Sequence, residues 1–563
     1  MESSNMFSSD PEVAKKQMLT VVFLMTAFGH ADGKFDMAEK RFVQEKIAAL
    51  VKKRILEAVS NPLARHATTD RVIAQFQRVA ARIDREIVAW FSESVAEGES
   101  QEQFILAKIT LRCYELLRPF DEAAREVLFE IVDDFILADG VSHPAEEKLR
   151  DDLKRLLAEP MEITEFEVIE DESTQHVHLS EEQSLVPSAD DHPFFTRLER
   201  AYPRDPQSFG RLARDDVELV RKVRSTLDEQ RAAGAGRLTG ARSFAEFAGQ
   251  APFLDGHVYV LPPDPNTEYE LIVLGDLHGC YSCLKAALMQ TDFLAKVQAH
   301  IDDPAGTPDT RLVLLGDYID RGRFSYDGIL RAVMQLYLTV PNAVYMLRGN
   351  HEYYVELEGR IMAPVRPAEG MMNLEGIASD AFFKEYMQMF EELPTSLAFD
   401  RIFFAHAGIP RDASLRDKWQ DLSSLNDPDL RFEMMWSDPS DTEAVPDELQ
   451  QKVARFGYGT AQFRNFMARI GCSAMVRGHE RILEGFRATY EFPDASLYTL
   501  FSAGGENCLD LPESSNYRDV TPRALTIRWR DGMSTVTQFP IDWAHYNASA
   551  RNRFIADPEH GPS

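Results

Sequence analysis

Five short polar blocks, each directly after an apolar run, most constrain what this chain can fold into. Such apolar runs indicate buried strands, so each polar block lies in a loop at a strand end. Because sites in open α/β sheets gather at the carboxyl ends of strands, the sequence predicts an α/β domain with one composite site. In chain order the blocks are residues 275–279 (GDLHG), 316–322 (GDYIDRG), 347–352 (LRGNHE), 406–408 (HAG) and 477–479 (RGH).

The side chains of these blocks form a mixed set of oxygen and nitrogen ligands. A single Gly-Asp pair after a strand is usually only a turn, but five blocks in order suit a pair of transition-metal ions. Two ions about 3.5–4 Å apart can share an activated hydroxide and clamp a phosphoryl group. We assign Asp276 and His278 to one ion and let Asp317 bridge both. The predicted ligands of the second ion are Asn350, His406 and His479.

Charged neighbours of the ligands supply the rest of a phosphatase reaction. His351 is placed to protonate the leaving alkoxide as a general acid. Asp320 would hold that imidazole in one tautomer. A planar guanidinium can bind two phosphate oxygens at once. The candidate phosphate-binding arginines are Arg321, Arg348 and Arg455, and for Arg348 as for Arg477 bracing of the ligand loops is the alternative.

The ordered blocks closely resemble the phosphoprotein phosphatase family of metallophosphoesterases, whose pattern runs GDxHG, GDYVDRG, LRGNHE, HGG and a late RxH. The resemblance covers about residues 260–545, and residues 406–410 (HAGIP) and 436–439 (WSDP) are similar to the serine/threonine-specific branch. It implies a two-sheet α/β sandwich flanked by helices and a Mn, Fe or Zn pair. The implied substrate is phosphoserine or phosphothreonine in a phosphoprotein.

Two departures from the family pattern bear on substrate preference. Eukaryotic members have Ser-Ala-Pro-Asn-Tyr near the site, whereas residues 502–507 read SAGGEN, so we expect no tyrosine over the metals and extra negative charge from Glu506. The second phosphate-binding arginine also has no clean counterpart after Trp436. Related enzymes that hydrolyse nucleotides or dinucleoside polyphosphates share most of the metal ligands, so that activity is one alternative. The other is an interaction module carrying an inactive phosphatase-like domain.

The first 158 residues have helical periodicity and no comparable strand pattern. An Ala-Asp-Gly turn occurs twice, each time before an acidic helix start. This pattern resembles the tellurite-resistance B (TerB)-like helical domains and implies an all-α bundle whose acidic turns can bind a divalent metal. Ordinary turn and capping chemistry is the alternative reading. The residues that could hold such a metal are Asp32, Asp36, Glu39, Asp139 and Glu146.

At 563 residues the chain is too long for one hydrophobic core. We predict a multidomain protein in which an all-α bundle precedes a C-terminal α/β metallophosphoesterase sandwich of two mixed sheets flanked by helices. The connector between them would pack on the phosphatase or cover its site. The predicted segments are the TerB-like domain 1–158, an acidic flexible linker 159–192, a helical connector 193–255, the catalytic domain 256–545 and a tail 546–563.

The composition narrows the classes of partner that this protein can bind. A net charge of −30 argues against nucleic-acid binding, and no apolar run approaches the roughly 20 residues needed to span a membrane. Five cysteines make an odd, sparse set that does not suggest a secreted disulfide scaffold. We therefore expect a cytoplasmic protein with a phosphoprotein substrate, no nucleic-acid or membrane partner, and an unidentified partner for the helical domain.

Overall fold

The computed structural model describes residues 8, 10–31, 33, 35–59, 61–91, 93–96, 98–138, 143–159 and 176–556. The chain divides into two compact units. The helical unit comprises Met1–Ile163 together with Ser440–Gly459, and the α/β unit comprises Thr164–Pro439 and Thr460–Ser563. The predicted fold class, an all-α N-terminal region followed by a C-terminal α/β domain, is confirmed.

Many of the helices begin after a residue whose side chain accepts hydrogen bonds from amides of the first turn. Asp36 accepts hydrogen bonds from the amides of Ala38 and Glu39, while the Glu39 carboxylate accepts one from the Asp36 amide. This is the capping box that the sequence predicted. The helices are α1 (Pro11–Phe28), α2 (Met37–Ala58), α3 (Pro62–Trp90), α4 (Gln101–Leu117), α5 (Glu122–Ile136), α6 (Pro144–Ala158), α7 (Pro193–Leu198), α8 (Pro206–Gly234), α9 (Tyr281–Gln290), α10 (Phe293–Asp302), α11 (Arg331–Thr339), α12 (Glu369–Met372), α13 (Asp380–Glu392), α14 (Asp412–Lys418), α15 (Pro428–Met434), α16 (Asp447–Gln450), α17 (Thr460–Ile470), α18 (Trp543–Tyr546) and α19 (Arg553–Ala556).

Except for Gly457–Tyr458 in the helical unit, the strands alternate with helices through the α/β unit. Many are short runs of apolar and β-branched residues, and Tyr269–Leu274, Ile402–Ala405 and Ala474–Arg477 are buried along their whole length. They are β1 (Val177–Leu179), β2 (Phe253–Asp255), β3 (Val258–Leu261), β4 (Tyr269–Leu274), β5 (Asp309–Leu314), β6 (Val344–Met346), β7 (Val355–Leu357), β8 (Arg360–Met362), β9 (Ser396–Phe399), β10 (Ile402–Ala405), β11 (Asp438–Pro439), β12 (Gly457–Tyr458), β13 (Ala474–Arg477), β14 (Phe486–Glu491), β15 (Ser496–Leu500), β16 (Arg523–Arg530) and β17 (Met533–Pro540).

Two mixed sheets carry the α/β unit, as predicted. One has six strands in the order β1-β17-β16-β4-β5-β6, with β4, β5 and β6 parallel and β16 antiparallel to β4. The other has seven strands in the order β14-β15-β13-β10-β9-β3-β2, with β10, β13 and β15 parallel. Parallel neighbours end at the same edge of a sheet, so the loops that follow them are brought together.

The predicted connector belongs to the α/β unit. Helix α8 is anchored by Asp216, whose carboxylate accepts from Arg331 Nε at 2.8 Å and Nη2 at 2.7 Å. Both side chains are 1% exposed, and the Tyr202 hydroxyl donates to the same carboxylate at 2.5 Å. A buried pair with its remaining bonds satisfied fixes one arrangement of the packed helices.

The structure differs from the predicted linker and tail at both ends of the α/β unit. Within the predicted linker, β1 pairs in parallel with β17, so its described part is incorporated into the six-stranded sheet; residues 160–175 lie outside the described residues. Within the predicted tail, Phe554 is 1% exposed and its ring lies 4.9 Å from Tyr281 and 4.8 Å from Phe324. Strand pairing therefore holds the first segment, and aromatic packing holds the second.

Residues 440–459, the inserted segment, interrupt the α/β unit in sequence and pack within the helical unit. Val445 and Leu449 are 1% and 5% exposed and lie in the apolar cluster formed by α1 to α6. Arg155 donates two hydrogen bonds, at 2.6 and 2.7 Å, to the Glu448 carboxylate. The sequence placed this segment in the catalytic domain, whereas its apolar side chains complete the helical core.

Candidate metal centre

Each polar block follows or overlaps the last residue of a strand, as the sequence predicted. Three of them end β4, β5 and β6 of the six-stranded sheet, and two end β10 and β13 of the seven-stranded sheet. The first ligand candidate, Asp276, makes an isolated parallel bridge to Phe501 after β15. The six predicted ligands are all buried, with relative exposures from 0% to 7%.

The first group of ligands gathers around Asp317. His278 donates from Nδ1 to the Ile319 carbonyl at 2.9 Å, so Nε2 is the ring nitrogen that faces the other ligands. That Nε2 lies 3.4 Å from Asp317 Oδ2 and 3.7 Å from Asp276 Oδ2. Asp276 Oδ2 is buried and has no hydrogen-bond partner among the described residues. A buried carboxylate oxygen without a donor is costly unless a cation satisfies it.

The second group repeats the arrangement around the other oxygen of Asp317. His406 donates from Nδ1 to the Leu315 carbonyl at 3.0 Å, and its Nε2 lies 3.5 Å from Asp317 Oδ1 and 2.9 Å from Asn350 Oδ1. His479 Nδ1 lies 3.0 Å from Asn350 Oδ1 and 3.2 Å from His406 Nε2. Burial lowers the pKa of His406 to about 4, which keeps the ring neutral.

Asp317 is the residue that the two groups share. Ligand atoms of His278, Asp317 and His351 lie within 4.8 Å of one another, and so do those of Asp317, His406 and His479. Burial, together with the negative charges of Asp276 and Glu352, raises the pKa of Asp317 well above its usual value. Carboxylates crowded in this way repel each other, and bound cations would relieve the repulsion.

Close backbone approach shapes the ligand loops. His278, Asp317 and His479 have φ values of +40°, +53° and +69°, conformations that non-glycine residues adopt only when the surroundings impose them. A Cβ at position 349 would lie 2.2 Å from Asp317 Oδ1, and one at 478 would lie 2.2 Å from Asp276 Oδ1. Only glycine at these two positions leaves room for the carboxylates.

Glu352 is a functional residue that the sequence analysis missed. Its carboxylate accepts hydrogen bonds from the amides of Asp317 at 2.7 Å, Tyr318 at 2.8 Å and Gly349 at 3.0 Å. It therefore ties the loop after β5 to the loop after β6. Its position as the last residue of the LRGNHE block was visible, but a side chain that binds only backbone leaves no spacing signal.

His351, the predicted general acid, is in contact with Asp320, as the sequence predicted. His351 Nδ1 lies 2.6 Å from Asp320 Oδ2, and the amide of Gly370 donates to Asp320 Oδ1 at 2.7 Å. Burial lowers the pKa of His351 well below its usual value and raises the pKa of Asp320 to about 6. The ring of His351 is 4.9 Å from that of His278, so the pair stands directly beside the first ligand group.

The candidate arginines are not equivalent. The Arg321 guanidinium lies 3.6 Å from Glu369 and its Cζ is 6.0 Å from the centre of the Tyr517 ring, beside the first ligand group. Arg348 is 4% exposed and donates to the Glu352 carbonyl at 3.0 Å and to Glu391 at 2.7 Å. These bonds favour bracing for Arg348, the alternative to the phosphate contact that the sequence predicted.

Arg477 also braces. Its guanidinium contacts Glu480 on the ligand loop and lies 2.7 Å from Asp438. Arg455 belongs to the inserted segment, and within the helical unit its Nη1 lies 3.3 Å from Glu93 Oε2. The structure thus brings Arg321 to the ligand groups and engages Arg348 with loop atoms.

Three of the five acidic residues that were predicted to bind a metal in the helical unit lie within the described residues. Asp36 and Glu39 are used in the capping box of α2, and Glu146 is buried in the first turn of α6. Neither potential metal group found among the described residues includes any of these three. Asp32 and Asp139 lie outside the described residues.

A tyrosine does lie beside the ligands, contrary to the expectation from residues 502–507. The ring of Tyr517 is 5.3 Å from that of His278 and 5.2 Å from that of Phe501. It comes from the short helix Asn516–Asp519, well beyond the loop in which the family pattern has its tyrosine. Glu506, the other residue noted in that loop, is exposed.

Comparison with known proteins agrees with this geometry. Residues 269–481 match the family Calcineurin-like phosphoesterase. A probable serine/threonine-protein phosphatase of Encephalitozoon cuniculi is 24% identical over 247 residues, which are 42% of this chain and 47% of that protein. Serine/threonine-protein phosphatase PP1-1 of Saccharomyces cerevisiae is 28% identical over 236 residues, 41% of this chain and 68% of that protein. The chain spans about half the length of the first of these relatives.

Solved structures give a more distant similarity. A protein serine/threonine phosphatase from Saccharomyces cerevisiae with similarity to human phosphatase PP5 has a TM-score of 0.37 at 16% identity, covering 58% of this chain and 90% of that one. A cold-active protein-tyrosine phosphatase of a Shewanella species has a TM-score of 0.30 at 18% identity, covering 50% of this chain and 82% of that one. Among the described residues, no helix combines the length and the apolar character that a membrane span needs.

Proposed function

Because residues 269–481 form a calcineurin-like metallophosphoesterase domain, we propose that this protein is a metal-dependent phosphatase acting on phosphoserine and phosphothreonine in proteins. The curated relatives described above carry serine/threonine-phosphatase names and match the same part of the chain. The proposal includes the cytoplasmic location expected from composition.

One observation carries the proposal. The two oxygens of Asp317 each face the Nε2 of a different imidazole, His278 at 3.4 Å and His406 at 3.5 Å. Both rings donate their Nδ1 protons to backbone carbonyls, which leaves Nε2 as the nitrogen available to a metal ion. Imidazole nitrogens that face the two oxygens of one buried carboxylate are the arrangement that a bridging carboxylate and two cations require.

The residues present fit a pair of divalent or transition-metal ions. Oxygen and imidazole donors without thiolate suit Mn, Fe or Zn. Asp276 and His278 would hold one ion, Asn350, His406 and His479 the other, and Asp317 both. When bound, such a pair supplies Lewis acidity and an acidified water for attack on phosphorus.

The chain's own residues supply orientation and the leaving-group proton. His351, held by Asp320 through Nδ1, lies beside the first ligand group and would protonate the departing alkoxide. Arg321 is the arginine beside that group and would bind two phosphate oxygens through its planar fork. Glu352 keeps the two loops that carry Asp317 and Asn350 in register.

A substrate panel tests the proposal. The Mn-loaded full chain is offered phosphoserine, phosphothreonine and phosphotyrosine peptides, a dinucleoside polyphosphate and an activated aryl phosphate. We expect release of phosphate from the first two peptides and from the aryl ester. Preferential cleavage of the dinucleoside polyphosphate would support the alternative hydrolase, and no turnover of any substrate would support the inactive interaction module.

Variants of the site separate chemistry from folding. Asp276→Asn, Asp317→Asn and His351→Asn should each abolish hydrolysis of the aryl phosphate while the melting temperature stays within a few degrees. Asp417→Asn, at an exposed position on α14, is the matched control and should retain full activity. Wild-type turnover by all three site variants would exclude the proposed mechanism.

Metal binding has its own readout. A ligand that binds only the folded state raises the melting temperature in proportion to the logarithm of its concentration. We expect Mn, Fe or Zn to raise the melting temperature of chelator-treated protein, with about two ions per chain by elemental analysis. The Asp317→Asn variant should lose both the ions and the thermal shift.

A further inference from the structure

Three positively charged side chains converge around His257, and none of them is a predicted metal ligand. Burial, together with the charges of these arginines, lowers the pKa of His257 to about 3. Burial also lowers the pKa of Arg431, and the charges of the other two arginines lower it further. The three residues are Arg431, Arg231 and Arg348. Positive charge is therefore concentrated at one place in a chain whose net charge is −30.

Two of these arginines are buried and share one carboxylate. Arg348 and Arg431 are only 4% and 8% exposed. Nη1 of Arg348 lies 2.7 Å from Glu391 Oε2, whereas Nη2 of Arg431 lies 3.7 Å from Glu391 Oε1. The second distance is too long for a hydrogen bond. The Nε of Arg431 is also buried, and it has no hydrogen-bond partner among the described residues. Arg431 is thus a buried cation whose donors are incompletely used.

The negative charge near the two arginines is weakly held or used elsewhere. The Glu391 side chain is 59% exposed, so it can turn into water at little cost. Arg231 donates to the Gly256 carbonyl at 2.8 Å and therefore contributes mainly charge to the cluster. The other acidic side chains in the neighbourhood have basic partners of their own: Glu392 with Arg224 at 2.7 Å, Asp427 with Lys418 at 3.0 Å and Asp228 with Arg231 at 3.3 Å.

This arrangement suits a small oxyanion better than a carboxylate. A guanidinium is a planar fork that can bind two oxygens of a phosphate, and the Glu391 carboxylate marks the point that both forks face. A phosphate dianion has more charge and more acceptor oxygens than a carboxylate. It can therefore satisfy donors of Arg431 that Glu391 leaves unused. Because both arginines are almost completely buried, a small ion in solution reaches them more easily than a phosphate attached to a chain.

We propose that Arg348 and Arg431 form a binding site for inorganic phosphate, which takes the place of the Glu391 carboxylate between the two guanidinium groups. The site shares no residue with the candidate metal centre, and its existence does not require the proposed function. Arg348 also donates to the Glu352 carbonyl at 3.0 Å, so the bound ion would adjoin the loop that carries Asn350.

Calorimetry with inorganic phosphate on the chelator-treated full chain tests the proposal. Arg431→Gln removes a charged donor and should raise the Kd of phosphate at least about tenfold. Glu391→Gln removes a competing negative charge about 4 Å from the anion and should lower the Kd about fivefold. Arg530→Gln is the matched control, since it removes an exposed arginine that pairs with Glu268. The absence of phosphate binding by the wild type, or an unchanged Kd in both cluster variants, would overturn the proposal.

A second comparison separates this site from the metal centre. In the same chelator-treated protein, Arg321→Ala should leave the Kd of phosphate unchanged, because Arg321 does not belong to the cluster. Loss of binding in Arg321→Ala, with binding retained in Arg431→Gln, would place the ion at the metal centre and refute the proposed site. A phosphoserine peptide should bind more weakly than inorganic phosphate. Tighter binding of the peptide that depends on Arg431 would refute the assignment to the small ion.

Thermal unfolding distinguishes anion binding from a purely structural role of Arg431. A structural arginine should lower the melting temperature when it is replaced. An incompletely compensated buried cation should not, so we expect Arg431→Met to melt at or above the wild-type temperature in phosphate-free buffer. Added phosphate should raise the melting temperature of the wild type but not that of Arg431→Met. A lower melting temperature in the variant, with an equal response of both proteins to phosphate, would contradict the proposal.

Discussion

The Glu352 carboxylate accepts the backbone amide of Asp317 at 2.7 Å, although the two residues are 35 positions apart. It also accepts the amides of Tyr318 and Gly349, so one buried side chain satisfies donors from two ligand loops. Burial raises the pKa of Glu352 to about 7, because its charged form loses hydration inside the fold. Loop geometry therefore depends on a residue that contacts no proposed substrate.

Removal of this carboxylate should destabilise the α/β unit. Glu352→Ala leaves four buried amides, with that of Ile319 at 3.3 Å as the fourth, without this acceptor, and at about 1–3 kcal/mol for each unsatisfied group we expect a loss of at least about 4 kcal/mol. Glu352→Gln keeps one acceptor oxygen and should lose less. Thermal and denaturant unfolding measure the change, and Glu356→Ala, which breaks an exposed pair with Lys384, should stay within about 1 kcal/mol of the wild type. A wild-type melting temperature for Glu352→Ala would contradict this role.

The acid role of His351 predicts a dependence on the leaving group. An activated aryl oxide departs without protonation, whereas the alkoxide of serine needs a proton. Asp320→Asn, which weakens the hold on the imidazole, should therefore slow phosphopeptide hydrolysis about 10²- to 10⁴-fold but slow the activated aryl phosphate much less. Turnover numbers for a series of aryl phosphates measure this difference. Equal losses across the series would assign Asp320 a structural role instead.

Acid stability should depend on His257. Burial and the charge of Arg431 lower its pKa to about 3, and its Nδ1 lies 3.0 Å from the Leu393 carbonyl. The unfolded chain takes up a proton near pH 6.5, whereas the folded protein does not, so this contribution is complete above pH 6.5 and is lost as the pH falls towards 3. Between pH 6.5 and 5 the loss is at most about 2 kcal/mol. His257→Gln should flatten the dependence of the melting temperature on pH over that range, and an unchanged slope would argue against it.

The buried pair of Asp216 and Arg331 should make α8 inseparable from the sheets. Asp216→Asn leaves a buried guanidinium without its charged partner and should cost about 3–5 kcal/mol. The double variant Asp216→Leu with Arg331→Met removes both charges and should recover most of that loss. Unfolding of the full chain measures both changes. A small effect of the single variant would mean that α8 is only loosely attached.

The residues whose roles could be predicted from the sequence are those whose roles follow from their immediate neighbours in the chain. Asp276, Asp317 and His406 each follow a buried apolar run, and the strand period alone places them at the ends of β4, β5 and β10. The helical N-terminal region follows from its helical periodicity, whereas the two mixed sheets were implied by the resemblance to the phosphoprotein phosphatase family. The His351–Asp320 contact was predicted from the neighbouring blocks and is formed at 2.6 Å.

The residue roles that could not be predicted depend on contacts between positions that are distant in sequence. Tyr517 packs on His278 from 239 positions away, and no pattern around residue 517 announces a site. Arg348 was a candidate for phosphate binding because the motif does not determine where its side chain points. Tertiary packing sets its bonds to Glu352 and Glu391. The TerB-like resemblance and the metal-binding role of its acidic turns stay predictions.

The inserted segment changes how the helical unit can be studied. A truncated chain that starts at the α/β unit would still encode Val445 and Leu449, now facing water without the core that buries them. Conversely, expression of the first 163 residues alone would leave the helical core without the apolar side chains of that segment. The helical unit therefore depends on a segment that the chain encodes inside the α/β unit. A shorter version that contains only one unit must be cut both at the boundary between the units and around the inserted segment.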